Sequence, residues 1–280
     1  NSLQVEEMSA NASNRVIDLS RSKEGKVEPY RPADGLIVLQ RPEMIRLLVR
    51  VPILKQNIAD MVSDGEKFSI AVYYPDRYSL FLTGSNSSNY EERFDALAEK
   101  NEQARELSSF VRIRPQHITE ALLVKPVALD EGVQYFVADQ LLEEDEQGSE
   151  TKKRRVVKTY QVLHILDKGV DGELHLQREF WFDRSSAALP LSRVLVYNSA
   201  GSIASEIVYK YYQRFEDGTY WPKNVLVTRA LDNYAMDLTY HNINKHVQIT
   251  DQTFRLENRE KLPFKDLDAT HLPPRASPDH

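Results

Sequence analysis

Apolar and polar residues alternate along most of this chain with the two-residue period of a β-strand. Two segments, 45–51 and 68–74, show the pattern most clearly. Their apolar side chains fall on every second position, namely Ile45, Leu47, Val49, Phe68, Ile70 and Val72. Because successive side chains of a strand point to opposite faces, each set shares one face of its strand. We therefore expect these six residues to be buried.

The same pattern predicts about ten or eleven strands in all. Besides the two segments above, the candidate segments lie near residues 36–39, 54–61, 78–82, 133–142, 156–166, 174–182, 193–197, 204–215, 221–231 and 236–249. Four of the ten glycines follow an aspartate, at Asp34, Asp64, Asp171 and Asp217. Asp-Gly tolerates the positive φ angles of tight hairpin turns. The combination predicts antiparallel β-structure.

Residues 86–123 interrupt this pattern with helical spacing. Ser88-x-x-Glu91 resembles a capping box, and it precedes an apolar stripe that reaches residue 107. A second, shorter helix is expected from Arg114-Pro115 to Leu123, with proline at a favoured early position. We expect both stripes to pack on the sheet.

The polar segment 143–155 runs from acidic to basic residues. It could dock a partner, but we favour a solvated hairpin tip whose opposite charges face each other across two strands.

The fold class that follows is mainly β (α+β). Ten or eleven strands in one flat sheet would leave exposed edges, whereas a strongly curved antiparallel sheet or incomplete β-barrel, with helices against one face, reduces that problem. We expect a single domain over residues 1–268, with a helical insert at 88–123 and a disordered tail at 269–280.

Composition narrows the function by exclusion. The 280 residues carry 36 Lys and Arg against 42 Asp and Glu, a net charge of −6, which argues against nucleic acid as a partner. The absence of cysteine excludes disulfides, thiol nucleophiles and iron–sulfur clusters in this chain.

The search for catalytic chemistry finds no motif. The sequence contains no nucleophile elbow, phosphate-binding loop or zinc-protease helix, so we predict no catalytic residues, no metal site and no cofactor. His164 and His175 flank a predicted turn symmetrically, yet two imidazoles do not complete a zinc site, and we interpret them as a surface pair. The aromatic segment 209–221 could stack on a sugar or base, although aromatic residues also favour ordinary strands.

Several short motifs occur in the same order as in a known protein family. In the N-terminal half they are Arg41-Pro42, Ile45-Arg46-Leu47 and Asp64-Gly65-x-x-Phe68, followed by a strand that closes at Gly84. In the C-terminal half they are Tyr220-Trp221-Pro222-Lys223, a long last strand and Asp251-x-x-Phe254-x-Leu256. Over residues 36–256 these motifs resemble the LolA/LolB-like lipoprotein carriers and receptors and their uncharacterised relatives. The chain departs from a minimal carrier in its two helices, its charged segment and its lack of a lipid-modified cysteine.

The resemblance implies an incomplete, curved antiparallel barrel whose concave apolar face is covered by helices and receives acyl chains. The function it implies is a non-catalytic protein of the bacterial cell envelope, periplasmic or anchored to the outer membrane, that binds lipid or an acylated lipoprotein. Ile45, Leu47, Val49, Phe68, Ile70 and Val72 are the expected cavity-lining residues. The chain starts without Met, which fits either a removed leader or a trimmed sequence, and the resemblance allows membrane association through a lost N-terminal lipid anchor.

Two alternatives remain open. The chain could be a structural or interaction lipoprotein that keeps the half-barrel with a filled cavity. Less favoured is a hydrolase of envelope polymers, which would need two carboxyl groups about 5–10 Å apart across a cleft.

Overall fold

The structure is a computed structural model of the whole chain. It describes residues 7–18, 33–51, 56–74, 76–88, 90, 113–125, 133–146, 154–169, 172–245, 248–250 and 252–269. Most of these residues belong to one of two compact units. Unit A contains residues 33–120 and 243–280, and unit B contains residues 121–242. Strand β1 spans Glu7–Asp18, and its residues are divided between the units.

Unit A contains six hydrogen-bonded strands in the order β14-β6-β5-β4-β3-β2. The five strands β2 to β6 form an antiparallel meander, and β14 runs parallel to β6. Their bounds are β2 Ala33–Gln40, β3 Met44–Arg50, β4 Asn57–Ser63, β5 Lys67–Val72, β6 Leu80–Ser85 and β14 Phe264–Asp266.

Unit B contains seven antiparallel strands in chain order, from β7 to β13, except that residues 243 and 244 at the end of β13 belong to unit A. They are longer than the strands of unit A. Their bounds are β7 Gln134–Glu146, β8 Arg154–Lys168, β9 Leu174–Asp183, β10 Leu191–Tyr197, β11 Ile203–Arg214, β12 Tyr220–Arg229 and β13 Tyr234–Asn244.

One α-helix, α1, lies within the described residues and spans Pro115–Leu122. Its apolar side chains Ile118 and Leu122 are fully buried. The last four carbonyls of a helix have no partner within the helix. The Tyr209 hydroxyl donates a 2.8 Å hydrogen bond to one of them, the carbonyl of Ala121. This helix confirms the shorter of the two predicted helices, while the first, expected before residue 110, lies almost entirely outside the described residues.

Three of the four Asp-Gly predictions are confirmed as turns between strands. Gly65, Gly172 and Gly218 connect consecutive strands and have φ angles of 101°, 83° and 81°. At the first of these turns, Asp64 Oδ1 accepts hydrogen bonds from the amides of Glu66 and Lys67. The prediction at Asp34-Gly35 is wrong, because both residues lie inside β2 and pair with β3. The alternation downstream of Gly35 continues through it, and the neighbouring strand supplies the hydrogen bonds that a turn would have made.

The mainly β class is confirmed, and the described residues contain more strands than predicted. β1 and β14 had no prediction. β1 contains few large apolar residues, and β14 has only three residues, which is too short for a periodic signal. The predicted charge pairing across segment 143–155 is confirmed by Arg155–Glu143 at 3.7 Å and Lys158–Glu144 at 3.4 Å. The strands extend to Glu146 and resume at Arg154, which leaves a shorter tip than expected. The tail beyond residue 269 lies outside the described residues, and its predicted disorder stays a prediction.

No helix of the described residues has the length and apolar character needed to cross a membrane.

Candidate functional site

The six residues predicted to line a cavity share one face of the sheet in unit A. Strand β4 separates β3 from β5, and the register places Leu47 and Ile70 on either side of Met61 in one row. Residues directly opposite each other in an antiparallel pair point to the same face. All six predicted side chains are buried, with no more than 4% of their surface exposed: Ile45, Leu47, Val49, Phe68, Ile70 and Val72. We call this surface the apolar face of unit A.

The apolar face of unit A consists of three cross-strand rows that run from β2 to β6. The first contains Leu39, Ile45, Ser63, Phe68 and Gly84; the second contains Ile37, Leu47, Met61, Ile70 and Leu82; the third contains Gly35, Val49, Ala59, Val72 and Leu80. The middle row is apolar throughout. The third row carries the small residues Gly35 and Ala59 on either side of Val49, which gives it the smallest side-chain volume per position.

The first row is filled where Gly84 lies. A Cβ on Gly84 would lie 2.8 Å from the Tyr90 Oη and 2.9 Å from the Phe68 Cζ, so the missing side chain makes room for these two rings. The rings pack edge to face with centroids 6.0 Å apart. The Tyr90 hydroxyl accepts a hydrogen bond from the Ser85 amide and donates one to the Asp268 carboxylate. This hydrogen bond lowers the pKa of Asp268 below its ordinary value.

The opposite face of the same sheet carries a charged pair that the sequence did not identify. Arg46 Nε and Nη2 donate to Asp60 Oδ1 and Oδ2 at 3.1 and 2.6 Å, a two-pronged arrangement across β3 and β4. The third guanidinium nitrogen, Nη1, donates to the carbonyl of Thr253 at 3.1 Å. Asp60 is buried, with 4% of its surface exposed. Arg46 therefore holds the segment after residue 251 against this face.

A cavity of about 400 Å³ lies beside this pair, within unit A. Its walls include the rings of Tyr73 and Phe81 and the segment 252–262. The charged lining residues are three arginines and three carboxylates, which balance: Arg46, Arg255, Arg259, Asp60, Glu257 and Glu260. Burial, with smaller contributions from Asp60 and Glu260, raises the pKa of Tyr73 above its ordinary value. The balanced lining gives the cavity no strong preference for either sign of ligand charge.

The inner face of unit B is a second apolar surface. On β12 and β13 the side chains of Val225, Val227 and Leu238 are fully buried. Trp221 and Tyr240 lie on the same face and are also buried, with ring centroids 6.5 Å apart and planes at 69°. Among the residues that the structure describes, Trp221 Nε1 and Tyr240 Oη have no hydrogen-bond partner. Burial raises the pKa of Tyr240 well above its ordinary value.

The two histidines considered in the sequence are not opposite each other. His175 pairs with Asp167, whereas His164 pairs with Glu179. The His164 Nδ1 lies 2.9 Å from Glu179 Oε1, and the Trp181 Nε1 donates to Glu179 Oε2 at 3.1 Å. Both His164 and Glu179 are buried, so His164 does not belong to an exposed surface pair as interpreted from the sequence.

The Glu179 carboxylate also affects a neighbouring tyrosine. Burial first, then the charge of Glu179 and a hydrogen bond to it, raises the pKa of Tyr197 to about 12. In the described part of the chain, no group of three or more His, Cys, Asp or Glu side chains is placed to hold a metal ion. The Glu179 carboxylate thus connects side chains of β8, β9 and β10 in one hydrogen-bonded cluster.

Comparisons with known proteins concern the fold. No family model matches the sequence, and no curated protein matches it either. The structure is similar to that of a LolA superfamily protein from Nitrosomonas europaea, with 11% identity, a TM-score of 0.46, and coverage of 90% of this chain and 91% of that chain. It is also similar to a DUF1329 family protein from Desulfovibrio piger, with 12% identity, a TM-score of 0.45 and 90% coverage of each chain.

A third similar structure is a domain from Vibrio parahaemolyticus described as an outer membrane lipoprotein-sorting protein. It has 9% identity and a TM-score of 0.44, with 89% of this chain and 88% of that chain covered. Two of these structures are a LolA superfamily protein and a lipoprotein-sorting domain, the kinds of protein that the sequence motifs resemble. Their TM-scores lie below 0.5, so the function is argued from the residues of this chain alone.

Proposed function

We propose that this chain is a non-catalytic protein of the bacterial cell envelope that binds lipid or the acyl chains of a lipoprotein. The observation that carries the proposal is the apolar face of unit A, where six residues chosen from the sequence as cavity lining share one buried face in three aligned rows. In this proposal the strands curve into an incomplete barrel, residues 1–268 form one domain, and helices cover the concave face. The periplasm or the inner surface of the outer membrane is the proposed location.

The physical basis is the area that such a face offers to an alkyl chain. Each buried methylene contributes about 0.8 kcal/mol, so an acyl chain needs contact with several rows rather than one directed hydrogen bond. The second row, with Leu47, Met61 and Ile70, offers apolar contact across the sheet. The third row, with Gly35 and Ala59, has the smallest side chains and is where we place the acyl chain.

A second candidate is a structural or interaction protein whose interior is filled by its own side chains. The packing of Phe68 and Tyr90 over Gly84 favours it, because these rings occupy the end of the first row. The two candidates predict different responses to added volume in the third row, which makes them separable.

The separating experiment is the substitution Ala59→Leu. Ala59 is fully buried between Val49 and Val72 in the third row. If this row borders an open cavity, the larger side chain occupies it, the protein stays folded, and displacement of BODIPY-palmitate by palmitate weakens at least ten-fold. If the interior is filled, overpacking lowers the free energy of unfolding by about 1–3 kcal/mol, and neither wild type nor variant binds the probe.

Ala71→Leu is the matched control. Ala71 lies opposite Asp60, one position from the Ala59 row, but on the cavity-bearing face of the sheet. The substitution adds the same number of carbon atoms as Ala59→Leu, but on the opposite face of the same sheet. We expect Ala71→Leu to leave palmitate binding within two-fold of wild type. Loss of binding in both variants, or binding unaffected by Ala59→Leu, would refute the placement of the acyl chain on this face.

A further inference from the structure

The interior of unit B contains two polar atoms that its apolar surroundings do not satisfy. Nearly all buried polar groups in folded proteins have a hydrogen-bond partner. Tyr209, on the same inner face, follows this rule, since its hydroxyl bonds to the Ala121 carbonyl. The indole Nε1 of Trp221 and the hydroxyl of Tyr240 do not, as far as the described chain extends. We call these two residues the Trp221–Tyr240 pair.

The two unsatisfied atoms belong to side chains that are in contact with each other. Trp221 lies on β12 and Tyr240 on the adjacent strand β13, with both side chains on the inner face and their rings in edge-to-face contact. Two unsatisfied donors on rings in contact are costly in an apolar core, and one acceptor within reach of both would remove both costs. Phenylalanine at position 240 would fill nearly the same volume without the hydroxyl, so packing alone does not account for a tyrosine here.

The chemistry of the two groups defines what they can bind. An indole N–H only donates, so its partner must be an acceptor, and a phenol can donate to the same acceptor. In the next row of the same face, Val225 and Leu238 are apolar and fully buried. The two unsatisfied atoms are themselves buried, and a full negative charge beside them would lose its hydration, which favours an uncharged oxygen. An uncharged acceptor attached to an apolar body is the carbonyl of an ester or amide.

We propose that the Trp221–Tyr240 pair is a binding site for the ester or amide carbonyl of an acyl compound, with Trp221 Nε1 and Tyr240 Oη donating to the carbonyl oxygen. The site lies in unit B and shares no residue with the apolar face of unit A. It goes beyond the proposed function, because it assigns a directed, carbonyl-specific contact to a chain otherwise expected to bind ligands by apolar contact alone.

The test uses Trp221 as its own reporter. The chain has two tryptophans, so Trp181→Phe leaves Trp221 as the only one. Trp181 bonds to Glu179 and takes no part in the proposed site. The delipidated protein is titrated with methyl palmitate brominated either beside the carbonyl or at the far end of the chain, delivered from cyclodextrin. Bromine quenches fluorescence at contact, and we expect the carbonyl-proximal bromine to quench Trp221 at least three-fold more strongly.

Tyr240→Phe, made in the same background, tests the hydrogen bond. We expect it to weaken binding of methyl palmitate about five-fold, in line with one net hydrogen bond, and to leave binding of hexadecane, which has no acceptor, unchanged. Because the substitution removes only an unsatisfied atom, the near-ultraviolet circular dichroism should stay that of the parent. Tyr209→Phe is the control with a satisfied hydroxyl, and it should affect the two probes equally.

Four results of the binding experiments would overturn the proposal. These are equal or stronger quenching by the chain-end bromine, equal losses of methyl palmitate and hexadecane in Tyr240→Phe, methyl palmitate bound no more tightly than hexadecane, and no binding of either probe. A Trp221 N–H that is already hydrogen-bonded in the delipidated protein, as reported by ultraviolet resonance Raman spectroscopy, would also overturn it, because a buried water would then satisfy the pair.

Discussion

Tyr240 and Tyr209 lie on the inner face of unit B and are both buried, yet removing their hydroxyls should change stability in opposite directions. The Tyr209 hydroxyl satisfies a carbonyl in the last turn of α1, at 2.8 Å. The Tyr240 hydroxyl has no partner in the portion of the chain that the structure describes. A phenylalanine at each position removes one oxygen atom and leaves the ring. The two variants therefore compare the loss of a hydrogen-bonded hydroxyl with the loss of an unsatisfied one.

The magnitudes follow from the hydrogen-bond cost in each case. Tyr209→Phe loses a bond worth about 1 kcal/mol and leaves the Ala121 carbonyl buried without it, so we expect destabilisation by about 1–3 kcal/mol. Tyr240→Phe removes a buried hydroxyl that gains nothing in return for its lost hydration, so we expect stabilisation by about 1 kcal/mol. For a protein of this size, each kcal/mol corresponds to roughly 2–4 °C in Tm.

The assay is urea unfolding of delipidated protein, followed by tryptophan fluorescence and by far-ultraviolet circular dichroism. Delipidation matters because a bound carbonyl would satisfy the Tyr240 hydroxyl and reverse the sign. Two probes are needed because two compact units can unfold in separate steps. If Tyr240→Phe destabilises the delipidated protein as much as Tyr209→Phe does, the Tyr240 hydroxyl is not unsatisfied and the prediction is refuted.

Two further predictions concern unit A. Asp60→Ala should lower the free energy of unfolding by about 3 kcal/mol in urea titrations, because it leaves the Arg46 guanidinium without its carboxylate. The double variant Asp60→Leu, Arg46→Met should recover most of that loss. Equal stability of Asp60→Ala and wild type would contradict this prediction. The hydrogen bond from Tyr90 lowers the pKa of Asp268. The interaction therefore stabilises the folded state at pH values above the ordinary pKa of 3.8, and this stabilisation is lost as the pH falls through the lowered pKa. Tyr90→Phe should therefore show a shallower loss of Tm below about pH 4, and parallel profiles would count against the interaction.

The strand pattern was predictable because one face of most strands is buried. In β3 the buried positions alternate strictly, which is the signal that the sequence shows at Ile45, Leu47 and Val49. The turn prediction at Asp34-Gly35 failed although this pair has the same local turn preference as Asp64-Gly65. The difference is that Asp34 and Gly35 pair with the neighbouring strand β3, which keeps them inside β2. Local preference therefore located three turns correctly and could not detect a long-range partner.

The candidate sites were predictable only in part. The six residues of the apolar face could be chosen from alternation, since burial of one face is a local property. The pairing of Arg46 with Asp60 could not, because both residues occupy positions in strands that alternation assigns to the polar face, and 28% of the chain is charged. The Trp221–Tyr240 pair depends on which hydroxyls find partners. Tyr209 and Tyr240 look alike in sequence, and only the position of the Ala121 carbonyl distinguishes them.

The central claim is that this chain holds an acyl compound in an apolar interior. Native mass spectrometry of the protein, purified without detergent from bacterial envelopes and followed by lipid extraction, tests it most directly. We predict a bound species that adds the mass of an acyl lipid in about one-to-one ratio, is released on unfolding, and is reduced at least ten-fold in Ala59→Leu. A protein that carries no lipid after this purification, and binds no added palmitate or methyl palmitate, would contradict the claim.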